Sequence, residues 1–192
     1  MKVAIIGKGN VGSAIAKGLS GKHEVKFGHR DPKEPVAEAA KWGEIIVFAV
    51  PFGAVSDAVK EVGSAADGKI LLDVTNALSS SGKLALGFST SGAEELQKRL
   101  PKAHVVKAFN TVFAANQSSG KIGRETLTLF VAADNTKAKQ AVMQLGKDIG
   151  FEPVDAGPLK AARYLEPMAM LIISLGYDLG MGTSIGYKLV KA

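Results

Sequence analysis

The sequence predicts an α/β fold built on a largely parallel sheet, and three observations carry that prediction. Short β-rich runs alternate with helical patterns from the first residues onward. Two of the runs, EIIVFAV at 44–50 and KILLDVT at 69–75, are apolar almost throughout at strand length, as a strand buried on both faces must be. The first run passes directly into a glycine-rich turn, GKGNVG, which is how a doubly wound, Rossmann-type sheet begins.

Each element follows from its own pattern. Residues 3–6 are a β-rich run ending in glycine, and 11–19 space Val11, Ala14, Ile15 and Leu19 as one helical face that Gly21 stops. A strand is expected at 24–28, a short helix at 36–42 after Pro35, a strand at 44–50 and a helix at 54–62. After the strand at 69–75, the Ser- and Gly-rich residues 76–92 read as a long loop holding part of a site. A helix at 92–100 ends before Pro101, strands follow at 104–109 and 127–132, a helix at 136–149 and a last strand at 151–155. Residues 159–189 read as mostly helix, interrupted by Gly176, Gly180 and Gly182. Two segments result: a nucleotide-binding Rossmann domain at 1–155, and a small C-terminal helical cap at 156–192 that packs on the cleft or on a partner subunit and is no independent domain.

The glycine turn carries the first chemistry. Gly7, Gly9 and Gly12 fit G-x-G-x-x-G between a strand and an amphipathic helix. Gly7 permits the tight turn, Gly9 lets a pyrophosphate approach the backbone, and Gly12 allows close helix packing. The helix opening at Asn10 and Val11 then directs its free N–H groups at the phosphates. Where the second strand ends, a carboxylate would select NAD through the ribose hydroxyls. Here FGHR places His29 and Arg30 instead, and a guanidinium grips a 2′-phosphate through paired hydrogen bonds. Arg30 is the main anchor, with His29 beside it and Lys8 as a further cation, so NADP(H) is the expected nucleotide. Asp31 is expected to cap the next segment ahead of Pro32.

The remaining strand ends, AVPFGA with Val50 and Pro51, DVTNAL with Asn76, and KAFNTVFA, should line the nicotinamide side. For Asn76 and Asn110, satisfying their own loops and touching the ligand are equally open. No general acid or base is evident. His23 and His104 stand at strand starts, the wrong end for chemistry, and Asp73 and Lys107 are unoriented by pattern alone. A hydride passed between two stacked rings needs no such group, so no catalytic side chain is assigned.

Composition excludes much else. There is no cysteine, and the 3 histidines have no metal-ligand spacing, so neither a thiol nucleophile nor a metal centre is expected. The net charge of +6 comes from scattered lysines with no aromatic interleaving, which argues against nucleic acid. The longest apolar stretch, MAMLIISLG, is about half a membrane span, and Met1 leads straight into a strand. A cytoplasmic protein without membrane contact is expected.

GKGNVG, FGHRDP, the VP after the third strand, KAFNTVFA and VDAGPLKAARYLEP together resemble the NADPH-dependent reductases of the deazaflavin coenzyme F-420. The reductase domain of the six-transmembrane ferric reductases is similar too, notably around KAFNT. The resemblance implies that Val50, Pro51, Asn110, Thr111, Val112 and Ala114 border the nicotinamide. It implies that Pro167, Met181, Gly182 and Ile185 stand near the acceptor, although Pro167 replaces a small polar residue of that family. Of the family's Ser/Arg pair on the 2′-phosphate, only the arginine carries over. The implied reaction is hydride transfer between NADPH and a stacked deazaflavin or flavin-like acceptor. The alternatives are an NADPH-linked reductase of free flavin, ferric chelate or a small carbonyl or imine, and a non-catalytic NADP(H)-binding redox sensor.

Two C-terminal expectations remain. Arg163 and Glu166, three apart, form either a surface ion pair or part of the cleft. The stripe Leu165, Met168, Leu171, Ile172, Leu175 and Leu179 is core or dimer contact, and an apolar face of that size predicts a homodimer.

Overall fold

The computed structural model describes residues 1–79, 81–86 and 88–191. Strand β1 (Lys2–Ile6) leads to helix α1 (Asn10–Leu19), β2 (Glu24–Gly28), α2 (Val36–Trp42) and β3 (Ile45–Phe48). Then come α3 (Val55–Val62), β4 (Ile70–Asp73), α4 (Gly92–Arg99), β5 (His104–Lys107) and a single helical turn, α5 (Ala114–Gln117). The chain closes with a two-residue hairpin, β6 (Lys121–Ile122) and β7 (Glu125–Thr126), then β8 (Thr128–Ala133), α6 (Thr136–Ile149), β9 (Glu152–Asp155) and α7 (Ala162–Ile173).

Seven strands form one sheet in the order β2-β1-β3-β4-β5-β8-β9. Every neighbouring pair is parallel except β5–β8. The fold is therefore the expected α/β, doubly wound, largely parallel sheet. Alternation along each strand sorts the core onto two faces. Val3, Ile5, Ile45 and Val47 pack with Ile15 and Leu19 of α1 and with Val142 and Leu145 of α6. Ala4, Ile6, Ile46 and Phe48 pack on the other face with residues of α2, α3 and α4. Strand order reverses at β1, whose two neighbours are β2 and β3, and this opens a crevice at the carboxyl ends of β1 and β3.

Two expectations change. The helix foreseen over 159–189 is confined to a 3-10 turn at Leu159–Ala161, α7 and a π-helical turn at Ser174–Asp178; residues 179–191 run without helix. Gly180 and Gly182 adopt φ of 71° and 73°, which ends helical geometry. The tail instead bonds along the start of β8: the Thr128 amide donates to the Tyr187 carbonyl (2.9 Å), and the Leu189 amide to Thr128 Oγ1 (2.8 Å). The Tyr187 hydroxyl donates to the Met168 carbonyl (2.9 Å), and burial pushes the phenol pKa up. The second change concerns the long loop, which forms an isolated bridge between Leu78 and Leu84; Ser80 and Gly87 lie outside the described residues. Among the described residues no helix is long and apolar enough to cross a membrane.

Candidate functional site: a dinucleotide cleft

The crevice is built by close backbone approach. Gly7 has φ of 107°, and a Cβ there would run into the Ala49 carbonyl at the end of β3. A Cβ on Gly12 would strike the Gly7 carbonyl, so α1 starts hard against the turn. Gly9 differs: the space where its Cβ would point is open for 4 Å. The first turn of α1 has no acidic residue and no side-chain cap at Gly9, so its N–H groups remain available to an anion.

Two cavities meet over this turn and share Gly9, Ala49, Val50 and Pro51. One, of about 820 Å³, is walled by Gly7, Lys8, Gly28, His29 and Arg30, with Asp57 and Glu61 also in its lining. The other, of about 740 Å³, is walled by Asn10, Val11, Phe52, Val74, Thr75 and Asn76, and reaches Leu78 and Ala85 of the long loop. A smaller cavity of about 420 Å³ lies beyond Asn10 and Ser13, between Phe113, Ala114, Tyr177 and Thr183. These features fit a dinucleotide: room at Gly9 for pyrophosphate, a helix N-terminus facing it, cations on one side and an apolar pocket on the other.

At the cationic end Arg30 is exposed and has no ion pair among the described residues. Lys8 and His29 are differently placed. Both bond the carboxylate of Glu34, Lys8 Nζ at 2.8 and 3.1 Å and His29 through Nε2. Hydrogen bonds from Lys8 and His29 hold the Glu34 carboxyl below the usual carboxylate range. Asp31 serves the turn itself, accepting from the Lys33 amide at 2.9 Å.

Asn76 and Asn110 bond each other, which joins two strand-end loops. Asn110 Nδ2 donates to Asn76 Oδ1 (3.1 Å) and to the Leu165 carbonyl (2.9 Å), and Asn76 Nδ2 donates to the Asn110 carbonyl (3.2 Å). Asn76 still faces its cavity; Asn110, Thr111 and Val112 are buried and line none of the three cavities. The preceding Phe109 takes φ of 66°, rare for a bulky residue, and its ring meets that of Phe151 edge to face, with centroids 5.6 Å apart. Gln117 Nε2 donates to the carbonyls of Phe109 (3.2 Å) and Val112 (2.9 Å), pinning this turn. Ala114 lines the smaller cavity. Pro167 and Ile185 are half-buried, while Met181 and Gly182 are exposed on the tail beside Thr183; none of the four lines the three cavities.

A surface pair between Arg163 and Glu166 does not exist. Arg163 instead makes a two-pronged pair with Glu94, both bonds 2.8 Å, which lowers the Glu94 carboxyl and raises the guanidinium. Glu166 is 2% exposed and accepts from the amides of Gly92 (2.9 Å) and Ala93 (3.3 Å), at the start of α4. It also stands 3.1 Å from Lys107 Nζ, which bonds Asp73 Oδ2 (2.9 Å) and the Thr75 carbonyl (2.6 Å). Burial pulls the Lys107 pKa down, but Asp73 and Glu166 outweigh it, and the net shift is upward. This ionic cluster lies below the cleft and ties β4, β5, α4 and α7 together. Pattern reading missed it, although a signal existed: Asp73 and Lys107 end adjacent buried strands in matched register.

Of the apolar stripe, Leu165 and Ile172 enter the core, whereas Leu171 and Leu179 are 54% and 67% exposed.

Residues 2–77 match the family model described as "NADP oxidoreductase coenzyme F420-dependent". The chain is 31% identical over 186 residues to the metalloreductase STEAP3 of Rattus norvegicus, covering 90% of this chain and 37% of that one. It thus spans little more than a third of that curated relative. Similarity to the F420-dependent NADP reductase of Methanocaldococcus jannaschii is 25% over 209 residues, covering 91% and 92% of the two chains. A crystal structure named as a candidate F420-dependent NADP-reductase from Arthrobacter sp. superposes with a TM-score of 0.92 at 29% identity, covering both chains completely. The resemblance read from the motifs is therefore borne out. Over residues 2–77 the chain matches the coenzyme F420-dependent NADP oxidoreductase family, and along its whole length it is similar to the F420-dependent NADP reductase of Methanocaldococcus jannaschii and to the Arthrobacter structure.

Proposed function

We propose that the chain moves a hydride between NADPH and a flat, flavin-like acceptor, a deazaflavin of the F420 type in first place. One observation carries this reading: among the described residues that line the nicotinamide-side cavity, none bears a titratable side chain. Reduction of a carbonyl needs a proton donor at the developing alkoxide. Hydride transfer between stacked rings depends instead on alignment in a dry pocket.

The nicotinamide C4 of NADPH would supply the hydride. The protein's part is positional. Gly9 and the α1 N-terminus are read as holding the pyrophosphate, Arg30 the 2′-phosphate, and Val50, Pro51 and Phe52 one wall of the ring pocket. Asn76, fixed by Asn110, is read as orienting the nicotinamide amide. The Asn110–Leu165 bond links this wall to α7, and the segment from residue 156 onward is read as the acceptor side. The reaction, like its pyridine nucleotide, is assigned to the cytoplasm.

The 31% identity to a metalloreductase favours a second reading, in which electrons pass to a free flavin or ferric chelate. Anaerobic turnover separates the readings, following loss of NADPH absorbance with oxidised deazaflavin, flavin mononucleotide or ferric chelate. Deazaflavin-dependent oxidation is expected. Turnover only with flavin or ferric chelate supports the second reading, and none with any acceptor supports a binding-only sensor.

The exposed apolar side chains Leu171, Tyr177, Leu179 and Met181, together with Tyr164, suit a homodimer that buries this end of the chain. Light scattering should give twice the chain mass, and Leu171→Glu with Leu179→Glu should give monomer. A monomeric wild type would refute the dimer and leave the hydride reading intact.

A further inference from the structure

We propose that Glu34 is an internal counter-ion of the 2′-phosphate subsite and sets how strongly the chain prefers NADPH to NADH. The inference rests on the reading that the cleft takes NADP(H) with its adenosine end at Gly28–Arg30. Three basic side chains converge there, and the structure divides them unequally. Arg30 stands on the cavity wall without an ion pair among the described residues. Lys8, from the glycine turn, and His29, from the end of β2, both bond one carboxylate, that of Glu34.

Glu34 is held in place to do this. The turn 29–34 is closed by two backbone bonds, from the His29 amide to the Glu34 carbonyl (2.8 Å) and from the Glu34 amide to the Asp31 carbonyl (2.9 Å). Pro35 follows as the N-cap of α2, with extended backbone, and removes a further freedom. The carboxylate therefore sits where Lys8 and His29 meet, presenting two anionic oxygens to donors that a phosphate would otherwise engage.

Two consequences follow from charge alone. A 2′-phosphate must take Lys8 and His29 from Glu34 or bind through Arg30 with a carboxylate nearby; either route weakens NADPH. NADH carries no phosphate there, and its ribose hydroxyls can donate to a carboxylate, so Glu34 costs NADH nothing. Glu34 thus narrows a preference that Arg30 creates. Asp31 serves the turn: one carboxylate oxygen accepts from the Lys33 amide (2.9 Å), and its amide donates to His29 Nδ1 (3.3 Å).

The test is Glu34→Gln, which keeps shape and one acceptor oxygen and lies in an exposed turn. Affinities of both proteins for NADPH, NADH, adenosine 2′,5′-bisphosphate and adenosine 5′-monophosphate are read by calorimetry. The Lys8–Glu34 ion pair and the His29–Glu34 hydrogen bond set the scale, so Glu34→Gln should tighten NADPH and the bisphosphate about threefold to tenfold. NADH and the monophosphate should stay unchanged or weaken. Unchanged or weaker binding of NADPH and the bisphosphate by Glu34→Gln, with wild type still preferring NADPH, would overturn the counter-ion role and leave the NADP reading standing. A wild type that binds neither the bisphosphate nor NADPH would overturn both.

Discussion

Replacing Lys107 by alanine is expected to cost about 3–5 kcal/mol of stability, the loss typical of breaking a buried ion pair from one side. The ammonium is wholly buried and lies 2.9 Å from Asp73 and 3.1 Å from Glu166. Without it, two carboxylates are left in the interior with only backbone and hydroxyl donors: the Thr75 amide and hydroxyl for Asp73, and the amides of Gly92 and Ala93 for Glu166. Against a total stability of roughly 5–15 kcal/mol, such a loss removes a large share of the folding free energy. Urea denaturation of wild type and variant measures it. A triple variant, Lys107→Met with Asp73→Asn and Glu166→Gln, removes all three charges together and should recover part of the loss. Recovery would show that uncompensated charge, more than lost packing, causes the damage. The pH dependence has a definite sign. The folded lysine pKa is raised, so its contribution is complete below the unfolded value, about 10.4, and is lost only as pH rises through the folded value. No weakening from this group is expected between neutral pH and the alkaline limit.

Arg30→Glu is the second large effect, and it falls on binding. Arg30 lines the cationic cavity and is exposed, so its removal takes nothing from the core. Reversing its charge deletes a charge-assisted, two-pronged contact and sets a second carboxylate near Glu34 against a dianionic phosphate. Loss of NADPH affinity of about a hundredfold is expected, equivalent to about 2.7 kcal/mol. NADH, which presents hydroxyls to that position, should change by no more than about threefold. Titration by quenching of Trp42 or by nicotinamide fluorescence gives both numbers, with thermal unfolding as the control for folding. A fall shared equally by the two nucleotides would mean that Arg30 supports the turn rather than the phosphate.

The centre of the sheet and the glycine turn are legible in the amino-acid sequence. EIIVFAV and KILLDVT have the length and continuous apolar character of strands buried on both faces, and they become β3 and β4 in the middle of the strand order. The glycines of GKGNVG announce a backbone approach that the fold realises at Ala49 and at Gly7 itself. What pattern does not show is set by tertiary geometry. Leu127 to Ala132 reads as a strand in either direction, and nothing local says that β8 runs antiparallel to β5. Arg163 and Glu166 sit at a spacing that suggests mutual pairing, yet neighbours distant in sequence, Glu94 and Lys107, claim one each. Glu34 has no place in any local pattern, because its meeting with Lys8 and His29 depends on how the turn 29–34 folds back. The tail after Asp178 carries enough apolar residues to suggest helix, but two left-handed glycines and the free edge at Thr128 draw it out.

The proposed chemistry depends on one placement: a dinucleotide pyrophosphate at the first turn of α1, with a further phosphate in the grip of Arg30. A crystal structure of the chain grown with NADP⁺ tests it directly. The pyrophosphate is expected against the amides around Gly9 to Val11, and the 2′-phosphate within hydrogen-bonding distance of the Arg30 guanidinium. An adenosine end bound elsewhere, with Arg30 turned to solvent, would contradict it.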